Sequence, residues 1–128
     1  MVINSDLKAA RGVEEKLLRA VECCGYGEAA RFAIKLALEE AINNAIKHGN
    51  KGDPRKTVDV SYQIDAKCAV ITIADQGKGF DPDSVPDPTA DENLEKPSGR
   101  GIMLMRAYMD EVRYNKAGNQ VTMTKRNA

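Results

Sequence analysis

The sequence predicts an α+β domain in which a layer of helices covers one face of a mostly antiparallel sheet. Two observations carry this expectation. Apolar residues recur at helical spacing through the first third of the chain, after which the period changes to the alternation of strands, with one more helix set between two strand pairs.

The first helix is expected from Leu7 to Cys24, where Leu7, Ala10, Leu17, Leu18 and Val21 share one face. Ser5 or Asp6 is placed to cap its start and Gly25 to end it. A second helix should run over residues 28–47 and close at Gly49. Val58, Val60, Tyr62 and Ile64 then alternate with Thr57, Asp59, Ser61 and Gln63, the pattern of a strand with one buried face. Following a turn at Asp65, Ala66 and Lys67, the run from Cys68 to Ala74 is more uniformly apolar, as in a central strand, and should pair with the first as a hairpin. Residues 80–97 show no periodicity and hold four of the five prolines, with six acidic residues against Lys96 alone. Such a stretch inside a small domain reads as a functional lid or a disordered loop. A third helix is expected over residues 101–109, then strands over 111–115 and 120–125 joined by a turn at Gly118.

At 128 residues the chain fits a single domain over 1–128 that buries roughly two thirds of its unfolded surface. Its 19 basic and 19 acidic residues cancel, so no positive field argues for nucleic acid or a membrane surface. The start resembles no signal peptide and no apolar run approaches the ~20 residues of a membrane helix, which leads to an expected cytoplasmic location. Cys23, Cys24 and Cys68 have neither metal-knuckle nor disulfide spacing and read as small core or helix-end residues.

The second helix holds the most informative residues. At 100° per residue, Ile34, Leu38, Ala41, Ile42 and Ala45 form the core stripe, while Lys35, Glu39, Asn43 and Lys47 form a polar stripe of solvated character. Glu40, Asn44 and His48 make a separate stripe beside Ala33, Ala37 and Leu36. A helix with a wide polar face explains this spacing equally well as a site where carboxylate, amide and imidazole converge. In the second case the hard oxygen ligands suit magnesium, which also takes substrate phosphates.

Two glycine segments follow. Asp75-Gln76-Gly77-Lys78-Gly79-Phe80 stands at a strand end, where Asp and Gly are ordinary turn chemistry. Its functional reading has Asp75 fixing a ligand amino group while Gly77 and Gly79 admit the ligand closely. Ser98-Gly99-Arg100-Gly101 precedes the third helix, either as a hinge or as a phosphate site of exposed backbone N–H groups reinforced by Arg100.

Taken together, E-x-x-x-N-x-x-x-H at Glu40, Asn44 and His48, D-x-G-x-G at Asp75, Gly77 and Gly79, and G-R-G at Gly99, Arg100 and Gly101 resemble the ATPase superfamily of gyrase, heat-shock chaperone, histidine kinase and MutL. The short length, the run Glu40-Ala41-Ile42-Asn43-Asn44-Ala45-Ile46-Lys47-His48-Gly49 and the run Tyr108-Met109-Asp110-Glu111-Val112 look like the anti-sigma factor serine kinases, bacterial switch proteins of stress and sporulation control. The likeness covers residues 3–125.

The resemblance implies a two-layer α/β sandwich with helices on one face of a mixed, mostly antiparallel sheet and an ATP lid at 80–98. It implies ATP and magnesium as ligands, with Asn44 on the metal, Asp75 on the adenine amino group, and His48, Gly49, Gly77, Gly79, Phe80, Gly99, Arg100 and Gly101 bordering the nucleotide. Glu40 would be the general base. Such kinases phosphorylate a serine on a small antagonist protein, bind a sigma factor and work as homodimers. Similar proteins carry a threonine near the adenine on the last strand, at the place this sequence fills with Gln120. The competing readings are a non-catalytic ATP-binding partner-switching module and the catalytic domain of a sensor histidine kinase; against the latter, the one histidine lies within the nucleotide motif.

Overall fold

A computed structural model describes residues 2–53, 55–77 and 99–127, with Gly99 and Arg100 as backbone. The expected lid at 80–98, and with it Gly79 and Phe80, lies outside the described residues. The elements are β1 (Val2–Asn4), α1 (Leu7–Cys23), α2 (Glu28–Asn44), a π turn (Ala45–Gly49), β2 (Thr57–Ile64), β3 (Cys68–Ala74), α3 (Gly99–Tyr108), β4 (Glu111–Tyr114) and β5 (Gln120–Arg126). The strand order is β1-β2-β3-β5-β4, and every pairing among the described residues is antiparallel.

Local chemistry accounts for the boundaries. Asp6 starts α1 by accepting the Ala9 N–H at 2.7 Å, which satisfies one of the donors a helix start leaves over. At the β2–β3 turn, Asp65 Oδ1 accepts from the N–H groups of Lys67 and Cys68 at 2.7 and 2.9 Å, and those bonds hold its carboxyl below the ordinary value. The Tyr26 hydroxyl donates to the Asp65 carbonyl at 2.8 Å, tying the start of the second helix to this hairpin. The last turn is ordered by Asn115 Oδ1, which accepts from Gly118 N and Asn119 N.

One sheet face carries the core. Val58 and Val60 of β2, Ile71 and Ile73 of β3, and Val121 and Met123 of β5 are buried against Leu17 and Val21 of α1, Ile34, Leu38 and Ile42 of α2, and Met105 of α3. Each such side chain contributes about 1.5–3 kcal/mol on burial, so the helical layer is held chiefly by this interface. Helix α2 sits between α1 and α3 and lies over the sheet, which explains its many buried alanines: Ala30, Ala33, Ala37 and Ala41 let neighbouring elements approach.

Three features depart from the sequence expectation. Strand β1 was not expected; it is a three-residue edge held by pairing Ile3 with Val58. The α-helical pattern of the second helix stops at Asn44 rather than continuing to Lys47, because Asn50 N donates to Ala45 O, a wider i→i+5 closure, at 2.8 Å. Helix α3 begins at Gly99, so the G-R-G segment is its first turn rather than its approach. All three cysteines are free thiols, and no helix among the described residues is long and apolar enough to cross a membrane.

Candidate functional site

Two close approaches bring the three motifs together. The first is an interlock between the end of the π turn and the segment after β3. A Cβ added at Gly49 would fall on the Asp75 carboxylate, and one added at Gly77 would fall on the Gly49 carbonyl oxygen and lie 2.9 Å from Asp75 Oδ1. Only hydrogen at these two α-carbons lets the segments nest in this way.

Asp75 is partly buried there. Its N–H donates to Asn119 O at 2.9 Å, and its Oδ1 accepts from Gly77 N at 2.7 Å. Burial pushes the carboxyl above its ordinary value, more than the Gly77 bond and the nearby Lys56 charge draw it down. Tyr114 of β4 shares this neighbourhood: burial raises its phenol to about 12, the Arg106 charge opposes the rise and Asp75 adds to it.

The second approach lies nearer the middle of α2. A Cβ at Gly101, in the first turn of α3, would stand 2.8 Å from Glu40 Oε2 and 3.4 Å from Asn44 Nδ2. Glu40 and Asn44, one helical turn apart, therefore face the start of α3 and not open solvent. That is the reason for the second polar stripe. Asn44 is 9% exposed, and its Nδ2 finds no hydrogen-bond partner among the described residues. An orphaned buried amide costs about 1–3 kcal/mol and calls for an explanation; a bound polar ligand supplies one. The first turn of α3 also presents backbone N–H groups that the helix cannot satisfy internally, the ordinary basis of an anion site. His48 sits half-buried in the π turn between these two points.

Of the expected site residues, the structure thus gathers Glu40, Asn44 and Gly101 at one contact and Gly49, Asp75 and Gly77 at another, with His48 on the rod between them. Gly99 enters as backbone, and the side chain of Arg100 lies outside the description. Gln120 is exposed, opposite Ala74; it is Asn119 that reaches the Asp75 segment, donating from Nδ2 to Gly77 O at 3.3 Å. Asn50 was not anticipated at all: it is fully buried and bonded to Ser5, Thr57 and Gln76. A turn-type residue beside Gly49 was the only sequence signal it offered.

With this geometry in place, comparison with known proteins decides the family. The model of the histidine kinase-like ATPase domain matches residues 3–125, which takes in every described element but the ends of β1 and β5. The chain belongs to the histidine kinase-like ATPase family. Among relatives of this ATPase domain, it is 35% identical over 101 residues to the serine-protein kinase RsbW of Bacillus subtilis, covering 72% of this chain and 62% of that one. It is 37% identical over 94 residues to the anti-sigma F factor of Anoxybacillus flavithermus, covering 70% of this chain and 64% of the other. The chain thus spans a little under two thirds of the length of these curated relatives. A solved structure of the RsbU and RsbW domains of a Mycobacterium tuberculosis protein superposes with a TM-score of 0.59 at 18% identity, over 99% of this chain and 31% of that one. At that identity the match speaks for the fold, which is the two-layer arrangement of the histidine kinase-like ATPases.

Proposed function

We propose that this chain is an ATP-dependent protein-serine kinase that phosphorylates a small antagonist protein and controls a sigma factor by exchanging partners. The observation that carries the reading is the contact of Glu40 and Asn44 with the first turn of α3, while Asp75 is held against Gly49 further along the same helical rod. Nine residues at 1.5 Å each separate Glu40 from Gly49 by roughly 13 Å, which leaves room for an elongated ligand with a base at one end and phosphates at the other. Relatives named serine-protein kinase and anti-sigma F factor support the same reading.

In this reading Asp75 accepts the adenine amino proton, and the N–H groups opening α3 receive phosphate oxygens. Asn44 would hold magnesium through its amide oxygen, while its buried, unpartnered Nδ2 fits an acceptor such as a phosphate oxygen. Among the described residues no cluster of His, Cys, Asp or Glu could hold a metal alone, so the phosphates and water would complete the coordination, as magnesium prefers. The bound ion would offset charge on the phosphates during transfer. Glu40 orients the incoming serine hydroxyl and takes its proton as the oxygen–phosphorus bond forms and ADP departs.

The test is co-purification of bound protein from the native host, followed by incubation with γ-labelled ATP and mapping of the labelled residue. Label on a serine of a small bound protein supports the kinase reading. Bound nucleotide with no transfer, with the true partner present, supports instead a module that uses ATP only to select its partner.

A further inference from the structure

The structure assigns Asn50 the role of a positioning residue that sets Asp75 for base recognition, an inference that rests on the ATP-site reading above. Asn50 is 0% exposed, and its side chain makes bonds to three separate parts of the chain. Its Nδ2 donates to Ser5 Oγ at 2.7 Å and to Thr57 O at 2.9 Å, and its Oδ1 accepts from Gln76 N at 2.8 Å. Thr57 N donates back to Gln76 Oε1 at 2.8 Å. Asn50, Thr57 and Gln76 therefore form a closed ring of bonds, with Ser5, itself buried, attached to it.

The position of this ring gives it a function. Gln76 lies between Asp75 and Gly77, the two residues that nest against Gly49, and Asn50 follows Gly49 directly. One buried amide thus fixes both partners of the interlock: the helix end, through its own backbone, and the Asp75 segment, through Gln76. On the far side Asp75 N donates to Asn119 O, so the carboxylate is located from two directions. The turn at 75–77 already has a local bond from Gly77 N to Asp75 Oδ1 and needs no distant amide merely to form. A buried amide is costly unless fully bonded, and this one is spent on the residue next to the carboxylate that reads the ligand. Without it Asp75 keeps its local turn and loses its fixed place relative to α2.

Paired titrations with ATP and inosine triphosphate test this, because the two differ at the amino group that Asp75 would read. In the parent, ATP should bind at least tenfold tighter, and Asp75→Asn should remove most of that preference. Asn50→Ala should lower ATP affinity about tenfold with inosine triphosphate affinity held within twofold, and Asn50→Ala added to Asp75→Asn should cost ATP little more. A role confined to folding predicts equal losses for both nucleotides, or none, with the preference intact; either result overturns the proposal. Should Asn50→Ala prove unfolded by thermal melt, Asn50→Ser decides, since it keeps a hydrogen-bonding group in the buried site but is too short to hold the Gln76 N–H, the bond that ties the Asp75 segment to Asn50. A reduced preference there supports the proposal and an unchanged one overturns it. A parent that does not prefer ATP would sink the nucleotide reading and this inference together, whereas a preference lost in Asp75→Asn but kept in Asn50→Ala would sink this inference alone.

Discussion

Gly49 and Asp75 are in contact through the bare α-carbon of the one and the carboxylate of the other, with no room between them for a methyl group. Gly49→Ala must therefore push Asp75 aside or unwind the π turn. We expect ATP affinity to fall at least about tenfold, roughly 1.4 kcal/mol, measured by calorimetry with a thermal melt to confirm folding. Parent-like affinity would show that the approach is incidental.

Asp75→Asn should separate stability from recognition. Because burial raises the Asp75 carboxyl in the folded protein, the folded state binds more protons than the unfolded one between the ordinary value of 3.8 and the raised value. The contribution of Asp75 to stability is thus present at low pH and lost as pH rises through the raised value. The uncharged variant should melt higher than the parent at neutral pH, and the difference should shrink as pH falls toward 3.8. Its ATP binding should weaken by about 1–3 kcal/mol, the loss of one buried hydrogen bond. Melting curves across pH check the first part; a variant less stable at pH 7 would refute the burial argument.

Gly101→Ala places a methyl group 2.8 Å from Glu40 Oε2, at the far end of a flexible side chain that can move aside. The fold should survive while Glu40 shifts. Displacing a reacting group by about 1 Å can cost 10²-fold, so phosphate transfer should drop by about one to two orders of magnitude, more than ATP affinity does. Equal losses in both would place Glu40 in binding and not in chemistry.

The core of this fold was legible because it is written in periods: the α2 stripe of Ile34, Leu38 and Ile42 and the alternation of Val58 and Val60 are local signals of burial. Strand β1 was not, since three residues cannot display an alternation and an edge strand is recruited by its neighbour's backbone. The π turn leaves no apolar trace, as it differs from an α-helix only in where Asn50 N–H is aimed. Glu40, Asn44, Asp75 and the glycines stood out through their order along the chain, but what each glycine admits became visible only in three dimensions. Asn50 was illegible because its partners Ser5, Thr57 and Gln76 lie in three distant segments. The bond from Asn119 to Gly77 O was illegible for the same reason, since Asn119 stands in the turn just before β5 and its partner lies 42 residues earlier in the chain.

Glu40→Gln alters proton acceptance at the contact with Gly101 and almost nothing else, so it isolates the chemistry proposed for Glu40. A carboxylate can orient the serine hydroxyl and take its proton, whereas an amide of nearly the same volume can only orient it. Single-turnover transfer from γ-labelled ATP to the co-purified partner, run beside calorimetric ATP titration, reads the two functions separately. Transfer should fall about 10²–10⁴-fold with ATP affinity nearly unchanged. Transfer at the parent's rate would rule out Glu40 as the base.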